Sequence, residues 1–165
     1  MTEDAVAAKF DANATIGVIS DTHGLLRPSA IEALQGSDLI IHAGDVGRAV
    51  ILDELRRIAP VVAVRGNVDH GGWADALAMD EVISLGAHSI YMRHILADID
   101  LDPRIAGFAA VIHGHSHKPE IAEKNGVIYF NPGSAGPRRF ALPVTVGRLR
   151  VVAGRLDPQL IPIEA

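Results

Sequence analysis

Three short apolar segments, each stopping at a polar tip and separated by amphipathic stretches, constrain this chain's fold more than any other feature. The first, "ATIGVIS" at 14–20, is rich in β-branched residues and gives way to "DTHG". A helix is predicted from Pro28, whose missing N–H costs nothing in a first turn, to about Gln35, with Gly36 as the stop. The second segment, "SDLIIHAGD", repeats strand and tip. "GRAVILDELRRIAP" then puts Ile51, Leu55 and Ile58 on one helical face, with Asp53 and Arg57 a turn apart and Pro60 as terminator. The third is "VVAVRGNVD". Strands alternating with helices read as parallel βαβ units, and open sheets of that kind bind ligands beyond the carboxyl ends of their strands. All three tips fall there.

After Gly72 the pattern changes. "DEVISLGAHSIYMRH" predicts two strands around Gly86-Ala87, and "DPRIAGFA" predicts a short helix with Asp102 as N-cap and Pro103 in its first turn. "AAVIHG" is another buried strand. "PEIAEKNGVIYFNPGS" is a hairpin on Asn125-Gly126, a pair that suits a type I′ turn. "PVTVGRLRVVAGRL" adds further antiparallel strands. No repeat and no Pro/Gly/Ser-rich linker divides the chain, so 1–165 is expected to be one α/β domain of two packed sheets with outer helices. Residues 1–14, acidic and without a long apolar run, are expected to form a loose leader before the first strand.

Composition limits the chemistry. Cysteine is absent, which removes thiolate ligands and disulfides and suits a reducing cytoplasm. Any metal must be held by nitrogen and oxygen donors. The net charge is −5 and the lysines are only Lys9, Lys118 and Lys124, which argues against broad binding to nucleic acid. No apolar run reaches the roughly 18 residues of a membrane span. A small anionic substrate would have to be held by local positive charge.

Polar groups gather at the strand ends: Asp21, His23, Asp45, Asn67, His94, His115 and His117. Asp21 and His23 leave their strand two residues apart, as do His115 and His117 in "HGHSH", so each pair can point one way in extended chain. Glycines beside Asp45 and Asn67 let the backbone turn close to a ligand. Carboxylate and imidazole together suit first-row divalent metals. Singly, each motif has a bland reading; in this order, each after an apolar strand, the bland reading fails.

These blocks, "DTHG", "GDV", "GNVD", the isolated His94 and "GHSH", resemble the five signature blocks of the calcineurin-like metallophosphoesterases. With "NPGS" at 131–134 and the arginines after it, the chain is similar to the small YfcE-like phosphodiesterase branch, from about Ile16 to Arg139. The resemblance implies a four-layer α-β-β-α sandwich of two mixed sheets flanked by helices. It implies one metal on Asp21, His23, Asp45 and His117 and a second on Asp45, Asn67, His94 and His115, with Asp45 bridging. Manganese is the expected ion, with zinc, iron, nickel and cobalt as alternatives. Two divalent cations, two aspartates and a bridging hydroxide leave a net charge of about +1, suited to a phosphodiester. Asp45 and Asn67 would then be catalytic, with Asn67 also donating to the substrate phosphate.

The chain departs from the wider superfamily at Val68, where a histidine often stands within "GNH", and at Ile95-Leu96, which follow His94 where glycine or a polar residue is usual. Asp69 is expected to brace its loop and His113 and His42 to pack at strand ends. His88 is placed on a solvent-facing hairpin, and Trp73 and Met79 in the core or an interface. Arg138, rather than Arg139, is the expected phosphate contact. The expected function is hydrolysis of small phosphodiesters, attacked by a hydroxide bridging the two metals. The alternatives are a phosphomonoesterase on the same site and a non-catalytic scaffold, a use to which the eukaryotic retromer complex puts this fold. Relatives are commonly dimers or larger.

Overall fold

The computed structural model describes residues 8–165. Strands β1 (Ala8–Phe10) and β2 (Ile16–Ile19) precede helix α1 (Pro28–Leu34). Strand β3 (Leu39–His42), helix α2 (Ala49–Arg56), strand β4 (Val61–Ala63) and the short helix α3 (Gly72–Asp75) follow. Strands β5 (Asp80–Leu85), β6 (His88–Arg93), β7 (Ala110–Ile112), β8 (Glu120–Lys124), β9 (Val127–Asn131), β10 (Thr145–Val152) and β11 (Arg155–Pro162) complete the chain, with a 3₁₀ turn at Leu96–Asp98.

The strands form a five-stranded sheet in the order β11-β10-β2-β3-β4 and a six-stranded sheet in the order β1-β5-β6-β7-β9-β8. In the first, β2, β3 and β4 are parallel and β10 and β11 run against them. In the second, β6, β7 and β9 are parallel. Both sheets are therefore mixed, as the resemblance implies. Alternation along each strand decides which side faces which layer. Ile16, Val18, Leu39 and Ile41 of one sheet meet Ile83, Ile90, Met92, Ile112 and Phe130 of the other in a common core. Ile19 and Ile40, on the opposite face, pack against Ala30 and Leu34 of α1 and Ile51, Leu52 and Leu55 of α2.

The fourth layer is thinner than expected. Over Tyr91, Val111 and Val127 lie Leu96, Ile99, Leu101 and Phe108. The helix expected at "DPRIAGFA" is only a turn: Asp102 caps it, its carboxylate accepting from the N–H groups of Arg104 and Ile105, but Gly107 (φ +86) ends it at once.

Three further expectations are corrected. Residues 8–10 of the supposed leader are a strand, paired in parallel with Ile83–Leu85; the rest of that leader lies outside the described residues. Asp53 pairs with Arg56 at 3.1 Å, one residue earlier than Arg57, which sits past the last helical turn as the C-cap. His88 is half-buried, not solvent-facing, and its Nε2 lies 3.1 Å from the Gly154 carbonyl, tying the two sheets' hairpin ends together. The Asn125-Gly126 turn, with φ of +53° and +78°, has the expected type I′ hand.

Candidate metal centre

The carboxyl ends of β2, β3, β4, β6 and β7 converge along one edge of the sandwich. Asp21 and His23 follow β2, Asp45 follows β3, Asn67 follows β4, His94 follows β6, and His115 and His117 follow β7. Their ligand atoms form two groups, Asp21–His23–His117 and Asp45–His94–His115, with atoms in each within 4.8 Å of one another.

In the first group, His23 Nε2 and His117 Nε2 are 3.3 Å apart, and Asp21 Oδ1 lies 3.5 Å from His117 and 3.8 Å from His23. In the second, His94 Nε2 is 3.1 Å from Asp45 Oδ2 and 3.0 Å from the amide oxygen of Asn67, which is 3.1 Å from His115 Nδ1. Metal–nitrogen bonds of about 2.0–2.1 Å set neighbouring ligand atoms roughly 3.0–3.4 Å apart. The separations therefore fit ligands turned toward shared centres. Asp45 stands between the groups: Oδ1 accepts from the Val68 N–H, while Oδ2 faces His94 and, at 3.7 Å, His23.

Two observations make a cation the natural occupant. Asp21 is fully buried; Ser20 Oγ (2.7 Å) and the His115 N–H donate to its Oδ2, but Oδ1 has no hydrogen-bond partner. A buried carboxylate oxygen without a donor is costly unless a positive charge faces it. His94 Nδ1–H donates to the Ala43 carbonyl at 2.7 Å, which in the neutral ring fixes the tautomer and leaves the Nε2 lone pair for a metal.

The electrostatics agree. Burial pushes the Asp21 carboxyl up, but nearby His23, the His94 charge, the Ser20 hydrogen bond and the His117 charge together hold it below the usual carboxylate range. Asp45 is held low against burial in the same way, by His94 and the Val68 N–H. Burial draws His94 down, yet its bond to Asp45 and the charge of Asp21 raise it above an ordinary histidine. Burial keeps His117 low, the charge of Arg139 adding to it. Two ionised carboxylates drawing positive charge onto an imidazole between them are arranged to hold a cation.

Close backbone approach makes this possible. A Cβ on Gly66 would strike the backbone and carboxylate of Asp45, and one on Gly114 would strike Ser20 Oγ and the Asp21 carboxylate. Asp69 accepts from the N–H groups of Val46, Gly47 and Gly66 and so ties the Asp45 loop to the Asn67 loop. His42 and His113 are buried and belong to neither group. His42 accepts from the Gly44 N–H at Nδ1 and meets Thr22 Oγ1 at Nε2.

Residue reading alone missed Ser20, Ser134 and the true place of Asn131. Asn131 Nδ2 donates to the Gly114 carbonyl and to Ser116 Oγ, and Ser134 Oγ donates to the Asp21 carbonyl, so "NPGS" braces the histidine loop from behind. Arg138 is not turned to the centre: its Nε donates to the Leu142 carbonyl along its own loop. Trp73 packs on the α1/α2 core, while Met79 is exposed.

Residues 15–154 match the model of the calcineurin-like phosphoesterase superfamily domain. A protein of Methanocaldococcus jannaschii described as a probable metallophosphoesterase is 36% identical over 158 residues, covering 90% of this chain and 81% of that one. An archaeal phosphodiesterase has the same fold, with a TM-score of 0.74 at 22% identity over 89% of this chain and 99% of that one. Vps29 of Entamoeba histolytica, solved in complex with zinc, gives a TM-score of 0.67 at 23% identity over 90% of this chain and 98% of that one. The chain belongs to the calcineurin-like phosphoesterase superfamily.

Proposed function

We propose that the chain is a phosphodiesterase whose centre holds two divalent metal ions, with Asp45 shared between them. The observation that carries the reading is Asp45 Oδ2, free of other donors and facing histidines of both groups. Asp21, His23 and His117 would hold one ion, and Asn67, His94 and His115 the other, manganese being the expected metal. When bound, such ions activate water as a nucleophile and screen the charge that develops on phosphorus. The chain's own residues do the rest. Ser20 and the His115 N–H orient Asp21, Ala43 orients His94, and Asp69 keeps the Asp45 and Asn67 loops in register. Asn67 aims its amide oxygen between His94 and His115, which leaves its NH₂ to donate to a substrate oxygen.

The diester preference rests on the shortage of further cations on the side of the first group, Asp21–His23–His117. A monoester carries a second phosphate charge, and the arginine loop is the place to meet it. There Arg139, whose charge bears on His117, is better placed than Arg138. Val68, 40% exposed beside Asn67, offers no proton to a leaving group, so substrates with good leaving groups should turn over best. The rival reading is a metal-binding scaffold, favoured by the fold shared with Vps29. Rates on bis(4-nitrophenyl) phosphate and 4-nitrophenyl phosphate, with manganese added to stripped protein, separate these readings. Faster diester cleavage is expected; faster monoester cleavage overturns the preference, and cleavage of neither by folded, metal-loaded protein favours the scaffold.

A further inference from the structure

Beside Asn67 and His94 lies a cavity of about 120 Å³ that the chemistry above does not use. Asn67 and His94 of the second group form part of its lining. Arg65 and Arg93 stand in its wall, Met79 and Ile95 supply an apolar side, and Asp98 is its one acidic residue. We propose that this cavity is a subsite for a compact anionic group on one arm of the substrate, so that the enzyme selects phosphodiesters with a carboxylate or phosphate a few bonds from phosphorus. The inference rests on the phosphodiesterase reading and names its substrate class.

Among the charged residues that line the cavity, Arg65 and Arg93 outnumber Asp98. The other carboxylates near these arginines stand toward solvent. Asp75, its side chain 68% exposed, lies 3.2 Å from Arg65, and Asp80, 51% exposed, comes only within 3.9 Å of Arg93. Water screens such pairs, so an entering anion can draw the guanidinium groups from them. Arg65 is held in place, its Nε donating to the Asp69 carbonyl, and Arg93 stands at the end of β6 next to His94. Both arginine side chains are largely covered, at 30% and 21% exposure, which strengthens a charge-assisted bond to an incoming group. Size excludes larger arms, because the cavity is well below the roughly 300–1,000 Å³ of sites for drug-sized ligands.

Calorimetric binding of two non-hydrolysable ligands to manganese-loaded protein tests this. They are 3-phosphonopropionate, which carries a carboxylate arm, and propylphosphonate, which does not. Wild type should bind the first about tenfold more tightly, the worth of one charge-assisted contact, and Arg93→Met and Arg65→Met should each cut that ratio below about threefold. Either variant alone suffices should the other fail to fold. Equal affinities in wild type, or a ratio that both variants leave intact, overturn the subsite. Hydrolysis of methyl 4-nitrophenyl phosphate reports the enzyme separately. Turnover without the binding ratio removes the subsite alone, and the ratio without turnover removes the phosphodiesterase reading alone.

Discussion

Asp21, His23, Asp45, His115 and His117 all have positive φ, between 47° and 71°, and they are five of the eight non-glycine residues so placed among the described residues. Left-handed backbone costs an L-residue roughly 1–2 kcal/mol, so the chain holds strain where its candidate ligands project. The loops that hold it depend on small braces. Asp69→Ala removes the acceptor for three N–H groups, and metal affinity should fall about 10–100-fold with the fold retained, as competition with a fluorescent chelator would read. Gly66→Ala, which drives a methyl into Asp45, should abolish binding at the second group altogether. His42 sets a pH limit of its own. Burial lowers its pKa from 6.5 to about 4, so the native state keeps it neutral where the unfolded chain takes up a proton. Its contribution is complete above pH 6.5 and is lost as pH falls toward 4, about 2 kcal/mol of it by pH 5. Urea midpoints at pH 7 and pH 5 should show that loss, and His42→Gln should flatten it. The candidate ligand residues were legible because each stands at a strand tip with a chemical type that packing does not explain. Ser20 and Ser134 were not, since a buried hydroxyl serving a carboxylate or carbonyl across the fold has no local signature.

Elements place these residues with economy, three parallel strands of one sheet and two of the other delivering side chains to one edge. The βαβ half was readable because helical and strand periods alternate and Pro28, Gly36 and Pro60 punctuate them. Strand β1 was not, since three residues carry no period and its pairing with β5 spans some seventy positions of chain. The turn at 103–107 misled for the opposite reason: a good cap and a proline begin a helix, but Gly107 and the apolar layer above β6 and β7 leave it nowhere to continue. Arg138 and Arg139 could not be told apart from spacing, because the loop's own hydrogen bonds decide which one turns back. Phe130, fully buried between the sheets, ties β9 to both, and the place where a Gly147 Cβ would stand is already occupied by its ring. Phe130→Ala should cost about 3–5 kcal/mol in chemical unfolding, the usual loss for a large aromatic cavity.

For the whole molecule, the consequence is a fold that gathers negative charge and strained loops at one edge and should gain stability when cations arrive. Manganese at about one hundred times its dissociation constant should add about 2.7 kcal/mol per site, and raise the melting temperature by roughly 2–4 °C per kcal/mol for a chain of this size. Chelation should reverse the shift, and Asp45→Ala should diminish it. The most direct measurement is hydrolysis of bis(4-nitrophenyl) phosphate by stripped protein as manganese is added in equivalents per chain, with Asp45→Ala alongside. Activity should be absent without metal, rise to a plateau at two equivalents, and fall by at least two orders of magnitude in the variant. Full activity in stripped protein, a plateau at one equivalent, or an Asp45→Ala chain as active as wild type would contradict a centre built on two metals sharing Asp45.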